Sequence, residues 1–159
     1  MPSLIPVVIC DIDSTLSDDA ARYSAHKHDG SPFTPDELLA YDLASGDDPP
    51  IPYMIDTIRA LSLSYDIFLV TGRTEQAAEV TAEWLDRYSV PWEELLMRSQ
   101  GDTRPNDQVK MSMYEAITQE LARTVELVID DNPLAIARFN ELGVNTLQVN
   151  RPTSPPRGA

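Results

Sequence analysis

Asp11 and Asp13 stand two residues apart, directly after the apolar run Leu4-Ile5-Pro6-Val7-Val8-Ile9-Cys10. Packing asks for no acid at the end of a buried strand, so two crowded carboxylates imply a cation or a proton-transfer task. Thr71-Gly72-Arg73 follows a second apolar run, Ile67-Phe68-Leu69-Val70, and Asp130-Asp131 follows a third, Leu127-Val128-Ile129. Lys110 falls in the first turn of a helix for which Asp107 reads as the N-cap. On a shared edge Asp11, Asp13, Asp130 and Asp131 would repel one another unless a hard cation sat among them. Oxygen ligands without His or Cys suit Mg²⁺. An acid pair with Mg²⁺, Lys110 and Arg73 suits phosphoryl transfer, because the charge to be stabilised lies on phosphoryl oxygens. Each piece also has a plainer reading. Asp11 to Thr15 has the composition of a turn, and Asp130-Asp131-Asn132-Pro133 that of a helix cap. Their joint occurrence with Lys110 favours the chemistry.

For these groups to meet, the apolar runs must be neighbouring strands. Residues 4–10, 65–70, 94–98, 126–129 and 145–149 read as strands, most of them short apolar runs rich in β-branched residues. Helical spacing appears between them. Ile51, Met54, Ile55, Ile58 and Leu61 form one stripe over 51–62, and Ala77, Val80, Trp84, Leu85 and Tyr88 another over 75–88. Residues 107–122 read as a third helix, and Pro133 and Gly143 bracket a fourth. Strands alternating with helices predict an α/β chain, a three-layer α/β/α Rossmann-like fold with a central parallel sheet. Ligands of such sheets bind at the carboxyl ends of the strands, where all three polar groups fall. Residues 17–49 lose periodicity except at Pro35 to Tyr41, with Thr34 as a candidate N-cap. This segment is expected to form a lid or small cap inserted after the first strand. Residues 1–150 read as a single domain and the Pro-rich residues 151–159 as a loosely ordered tail. His26 and His28 belong to a solvated loop, since no further ligand recurs at zinc-like spacing.

The 159 residues suffice for one core without disulfides, and the single cysteine, Cys10, forms no internal bridge. Cys10 reads as a small buried hydrophobe, because Leu16 occupies the place that a Cys-x5-Arg phosphatase gives to arginine. No apolar run reaches the roughly 18 residues of a membrane span, and no basic and then apolar leader is present. A cytoplasmic protein without a membrane partner is the expectation. No glycine is followed by lysine, so there is no P-loop nucleotide site, and G-x-G-x-x-G is missing too. A formal net charge of -14 argues against a broad basic face for duplex nucleic acid. Yet of the 12 Lys and Arg, Arg22, Arg73, Arg98, Arg104 and Lys110 lie in or beside the motifs, which fits a small anionic group. Trp84 and Trp92 read as packing residues rather than base-stacking platforms.

Asp11-x-Asp13-x-Thr15, Thr71-Gly72-Arg73, Lys110 and Asp130-Asp131, in this order, resemble the four motifs of the haloacid dehalogenase (HAD) superfamily of phosphohydrolases, across about residues 4–150. The stretch Gly101-Asp102-Thr103-Arg104-Pro105-Asn106-Asp107-Gln108-Val109-Lys110 is similar to its counterpart in the 3′-phosphatase domain of bacteriophage polynucleotide kinase. Arg22, eleven residues after Asp11, falls where that family keeps a phosphate-binding arginine, and Arg73 matches a second. Three departures stand out: Asn106 replaces an acid, Ser14 replaces a glycine, and the stretch between Arg22 and the helix at Ile51 is longer.

The resemblance implies a HAD fold and a Mg²⁺-dependent phosphomonoesterase working through an aspartyl-phosphate. Asp11 would be the nucleophile. Asp13 would be general acid and then base, meeting the metal through its backbone carbonyl, with neighbours that raise its pKa relative to that of Asp11. Asp130 would hold Mg²⁺ directly and Asp131 directly or through water. Lys110 would bridge Asp11 and a phosphoryl oxygen. Thr71, Gly72, Arg73, Arg22 and Thr15 complete the phosphate side. In that set Thr71 bonds a phosphoryl oxygen, the two arginines grip the phosphate with bidentate forks, and Thr15 fixes the turn that aims Asp13. The implied substrate is a 3′-phosphate on a DNA or RNA end or on a nucleotide, as in nucleic-acid repair, with no kinase domain. A 5′(3′)-deoxyribonucleotidase or other small-metabolite phosphatase would keep the chemistry and change the leaving group. A non-catalytic binding module would keep only the fold.

Overall fold

The computed structural model describes residues 4–27 and 29–151. In chain order the elements are β1 (Val7–Cys10), α1 (Ala20–His26), α2 (Pro35–Leu43), a 3₁₀ turn (Ala44–Asp47) and α3 (Pro52–Leu61). Then come β2 (Asp66–Thr74), a 3₁₀ turn (Glu75–Ala77), α4 (Ala78–Arg87), β3 (Glu94–Arg98) and α5 (Asn106–Glu115). A π turn (Ala116–Glu120), β4 (Val125–Asp130), α6 (Pro133–Glu141) and β5 (Thr146–Gln148) complete the described chain.

The five strands form one sheet in the order β3-β2-β1-β4-β5, with every pair parallel. Central β1 is buried throughout, and its side chains alternate between two cores. Val8 and Cys10 pack with Met54, Ile55 and Ile58 of α3 and Trp84 and Leu85 of α4. Val7 and Ile9 pack with Val109 and Met113 of α5 and Ala135 and Phe139 of α6. The expected three-layer α/β/α architecture is what forms. The strand expected over 4–10 begins only at Val7, after Pro6, which has no N–H to give a ladder. β2 runs four residues past the expected Val70, so Thr71, Gly72 and Arg73 lie in the strand rather than beyond it.

Residues 17–49 leave the sheet after β1 and return beside their own start. Asp18 N–H donates to Pro49 O at 2.8 Å and Ile51 N–H to Leu16 O at 2.7 Å. The insertion carries α1 and α2. Thr34 caps α2 as expected, with its hydroxyl accepting the Glu37 N–H while the Glu37 carboxylate accepts the Thr34 N–H. In the turn after Asp13, Ser14 sits at φ 62°, a conformation that costs most residues about 1 kcal/mol. Its hydroxyl, 2.5 Å from Asp19 Oδ1, offsets part of that cost. His26 lies in α1 with Nδ1 2.9 Å from Arg22 O; His28 and the tail expectation from residue 152 onward lie outside the described residues. Arg151 donates to Asp18 Oδ2 at 2.8 Å. Among the described residues no helix is long and apolar enough to cross a membrane.

Candidate active site

Two charged clusters lie side by side at the carboxyl ends of β1, β2 and β4. In the first, Asp11, Asp130 and Asp131 each turn a carboxylate oxygen to within 4.8 Å of the others. Lys110, reaching in from α5, places Nζ 2.9 Å from Asp11 Oδ1 and 2.6 Å from Asp130 Oδ2. Thr15 donates to Asp11 Oδ2 at 3.1 Å. Burial pushes the Asp11 carboxyl well up, against the Lys110 charge, with Asp130, Asp131 and Asp13 adding to the rise. Burial likewise pushes Asp131 up. Lys110 itself is raised: burial disfavours its charge, and Asp11 and Asp130 more than restore it. Three carboxylates against one ammonium leave a deficit of two positive charges in a buried site. A divalent ion held by oxygen closes it, so the donor set fits Mg²⁺. Neither Asp130 nor Asp131 is spent as a cap. Asn132 caps α6 instead, accepting the Leu134 N–H at 2.9 Å.

The second cluster corrects the expectation that four carboxylates converge. Asp13 turns to the arginines. Arg73 donates from Nε to Oδ2 at 3.0 Å and from Nη2 to Oδ1 at 2.7 Å, while Arg22 Nη2 reaches Oδ1 at 2.6 Å. Ser17 adds a bond at 3.1 Å. The remaining Arg73 donors meet Ser45 Oγ and Thr81 Oγ1, and Arg22 is held by Asp48 and the Tyr41 carbonyl. Two buried guanidiniums, the buried carboxylate of Asp48 and the partly exposed carboxylate of Asp13 thus form a balanced set. Arg22 and Arg73, expected to grip the substrate phosphate, hold Asp13 here. Burial pushes the Asp13 carboxyl up, but Arg73, Arg22 and Ser17 more than reverse this and hold it at about 2. That ordering, Asp13 low and Asp11 high, is the reverse of what proton delivery required of the sequence.

Thr71 and Gly72 reach the site through the strand extension. Thr71 is buried and its Oγ1 accepts the Arg73 N–H at 3.2 Å. A Cβ on Gly72 would overlap the side chain of Asn106, so a larger residue there must push that amide off its bond to Arg98 at the start of α5. Arg98, at the end of β3, ties down the loop before α5. It donates to Gly72 O at 2.9 Å, Asp102 O at 3.0 Å, Arg104 O at 2.6 Å and the Asn106 side chain. Arg104 is exposed and pairs with Asp102 at 2.7 Å. Thr15, expected to fix the turn that aims Asp13, bonds Asp11.

Asp48, Ser45, Tyr41 and Asp42 support this site from within the insertion, and the sequence pattern flagged none of them. Asp42 accepts the Thr74 N–H at 2.7 Å, and burial raises its carboxyl to about 6. Above the two clusters opens a cavity of about 980 Å³, bounded by the insertion, by residues 98–106 and by Asp131 to Pro133.

Acids and a lysine gathered at the strand ends of an α/β fold suit a phosphatase of the HAD type, a phosphoric monoester hydrolase. The family described as polynucleotide kinase PNKP phosphatase domain matches residues 5–153, and the chain belongs to it. Among solved structures, a chain of the Pnkp1/Rnl/Hen1 RNA repair complex is 25% identical with a TM-score of 0.70; the match covers 92% of this chain and 43% of that one. The class C acid phosphatase from Bacillus anthracis with tungstate bound is 17% identical, TM-score 0.66, with 92% and 67% covered. The HAD-hydrolase YfnB from Bacillus subtilis bound to magnesium is 16% identical, TM-score 0.63, with 98% and 92% covered. The last two likenesses are of fold. The chain spans less than half the length of the repair-complex chains it matches. No curated protein sequence matches it.

Proposed function

We propose that the protein is a Mg²⁺-dependent polynucleotide 3′-phosphatase that works through an aspartyl-phosphate on Asp11. The observation that carries the chemistry is Lys110 bridging Asp11 and Asp130, with Asp131 completing a set two positive charges short. Asp11, Asp130, Asp131 and the Asp13 carbonyl would hold the metal, which would supply charge to the phosphoryl oxygens as the phosphorus is attacked. Asp11 forms the new O–P bond while the ester P–O bond breaks, and Asp13 gives its proton to the leaving oxygen. Asp13 then takes a proton from the water that attacks the aspartyl-phosphate, which frees inorganic phosphate and restores Asp11. Arg22 and Arg73 keep Asp13 ionised in the resting site. An arriving phosphate brings negative charge beside Asp13, which pushes its carboxyl up toward the acid form.

Membership of the PNKP phosphatase family and the likeness to a chain of an RNA repair complex support a nucleic-acid end as substrate. So does a cavity much larger than a phosphate needs. The test is phosphate release from a 3′-phosphorylated oligonucleotide and from nucleoside monophosphates, with Mg²⁺ or EDTA, for wild type and Asp11→Asn. Mg²⁺-dependent release from the 3′ end, abolished by Asp11→Asn, is expected. Release from 5′-nucleotides alone would reject the end-repair substrate and move the same chemistry to nucleotide metabolism.

A further inference from the structure

Asp19 holds the N-cap place of α1 but does not cap it, for its side chain accepts no backbone N–H of the first turn. An aspartate at that place ordinarily spends an oxygen on the helix. Here both oxygens are spent on hydroxyls. Oδ1 accepts from Ser14 at 2.5 Å, and Oδ2 accepts from Tyr41 at 2.5 Å. One bond runs back to the turn that follows Asp13, and the other runs forward to α2.

Ser14 points to the same pairing. It sits at φ 62°, where glycine is at ease and serine is not, so the backbone of the turn does not ask for this residue. Its hydroxyl, bound to Asp19, gives the reason. Asp19 and Arg22 stand three residues apart and so share one face of α1. Arg22 Nη2 donates to Asp13 at 2.6 Å while Asp19 takes Ser14, so two successive residues of the turn are each held by one side chain of the same helix. Tyr41 backs both holds. Its ring lies 3.9 Å from the Arg22 guanidinium, its carbonyl accepts from Arg22 Nη1 at 3.0 Å, and its hydroxyl closes on Asp19. Contacts thus run in a closed ring from Asp13 through Arg22, Tyr41, Asp19 and Ser14 back to Asp13, the kind of support that fixes a reacting group's direction.

We infer that Asp19 is a positioning residue for proton transfer at Asp13: by clasping Ser14 to Tyr41 it fixes the turn from which the Asp13 carboxyl reaches the leaving oxygen. This rests on the reading of Asp13 as acid and then base. Such a role has a chemical signature. An alkoxide must take a proton as it leaves and para-nitrophenolate need not, so a misplaced acid slows the alkyl ester and spares the aryl one.

The experiment measures kcat/KM for para-nitrophenyl phosphate and for the alkyl ester that wild type hydrolyses, a 3′-phosphorylated oligonucleotide or a nucleoside monophosphate. Asp13→Asn sets the full scale, with the alkyl ester losing far more than the aryl ester. Asp19→Ala lowers the alkyl-to-aryl ratio by about tenfold, a fraction of what a general acid supplies. Ser14→Ala lowers it too, and adds no further loss in the Asp19→Ala background. Both esters meet the same preparation, so any loss of folded protein cancels in the ratio. A wild-type ratio in Asp19→Ala, or losses that simply multiply in the double variant, overturns the clasp. If Asp13→Asn itself slows both esters alike, the reading of Asp13 as the acid fails, a result distinct from an unmoved ratio in Asp19→Ala.

Discussion

Arg73 holds both oxygens of Asp13, with Nε 3.0 Å from Oδ2 and Nη2 2.7 Å from Oδ1. Its other donors are taken by Ser45, Thr81 and Ser17, and its side chain is 0% exposed. An arginine so enclosed aims a carboxylate; it is not spread open for substrate. Arg73→Lys keeps the charge and loses the fork. Its expected effect is a fall in kcat of about 100-fold, the usual scale of a misplaced acid–base group, with KM within about threefold of wild type. A large rise in KM at unchanged kcat would make Arg73 a phosphate ligand instead.

Lys110 stands between two buried carboxylates, and removing it leaves Asp11, Asp130 and Asp131 without their cation. Lys110→Met is expected to lose about 3–5 kcal/mol of stability in metal-free solution, the cost of stranding buried charge. Mg²⁺ returns part of this by binding only the folded site. Thermal melts with and without Mg²⁺ should therefore show a larger metal-induced rise in Tm for the variant than for wild type. No rise in either protein would remove the metal from these three acids.

The sequence made the central strands and the first charged cluster legible, because β1, β2 and β4 each carry an apolar run that stops at an acid or a threonine. What it hid lies in the insertion. The only buried residue of α1 is Arg22, which pairs with Asp13 and Asp48, so no apolar stripe announces the helix. The buried face of residues 41–48 is made of Tyr41, Asp42, Ser45 and Asp48, mostly polar residues, as in any loop. Their roles follow from partners far along the chain, Arg73, Thr74 and Arg22, which no local pattern reveals. The start of α5 shows the same limit. Asp107 has the chemistry of an N-cap, yet the helix begins one residue earlier and Asp107 binds Arg138 at 3.2 Å.

Gly72 and Asn106 share one space, since a Cβ on Gly72 would fall on the Asn106 amide. Gly72→Ala is expected to cost about 1–3 kcal/mol, as for other overpacked sites, and to lower kcat by loosening the loop that Arg98 ties to β2. Asn106→Ala opens the space and gives up its bond to Arg98. In the double variant the two losses should fall short of additive by at least about 0.5 kcal/mol in chemical denaturation. Strict additivity would mean that the two side chains do not compete.

Asp42 brings the insertion under pH control through Thr74. Its carboxylate accepts the Thr74 N–H at 2.7 Å, and burial raises its pKa from 3.8 to about 6, opposed by that bond and by Arg73, and aided by Asp13. Because the folded pKa lies above the unfolded one, the native state keeps a proton that the unfolded chain gives up. Stability is therefore lost as pH rises from about 4 to about 6, and the loss is complete above that range. Asp42→Asn keeps an oxygen for the Thr74 N–H and has no charge to bury. The difference in unfolding free energy, variant minus wild type, should thus grow with pH across this window, by up to about 3 kcal/mol. Urea midpoints at pH 4, 5, 6 and 7 measure it, and contributions from titrating groups that do not interact with Asp42 cancel in the difference. A difference that stays flat from pH 4 to 7 would mean that Asp42 ionises as freely in the folded protein as in the unfolded chain.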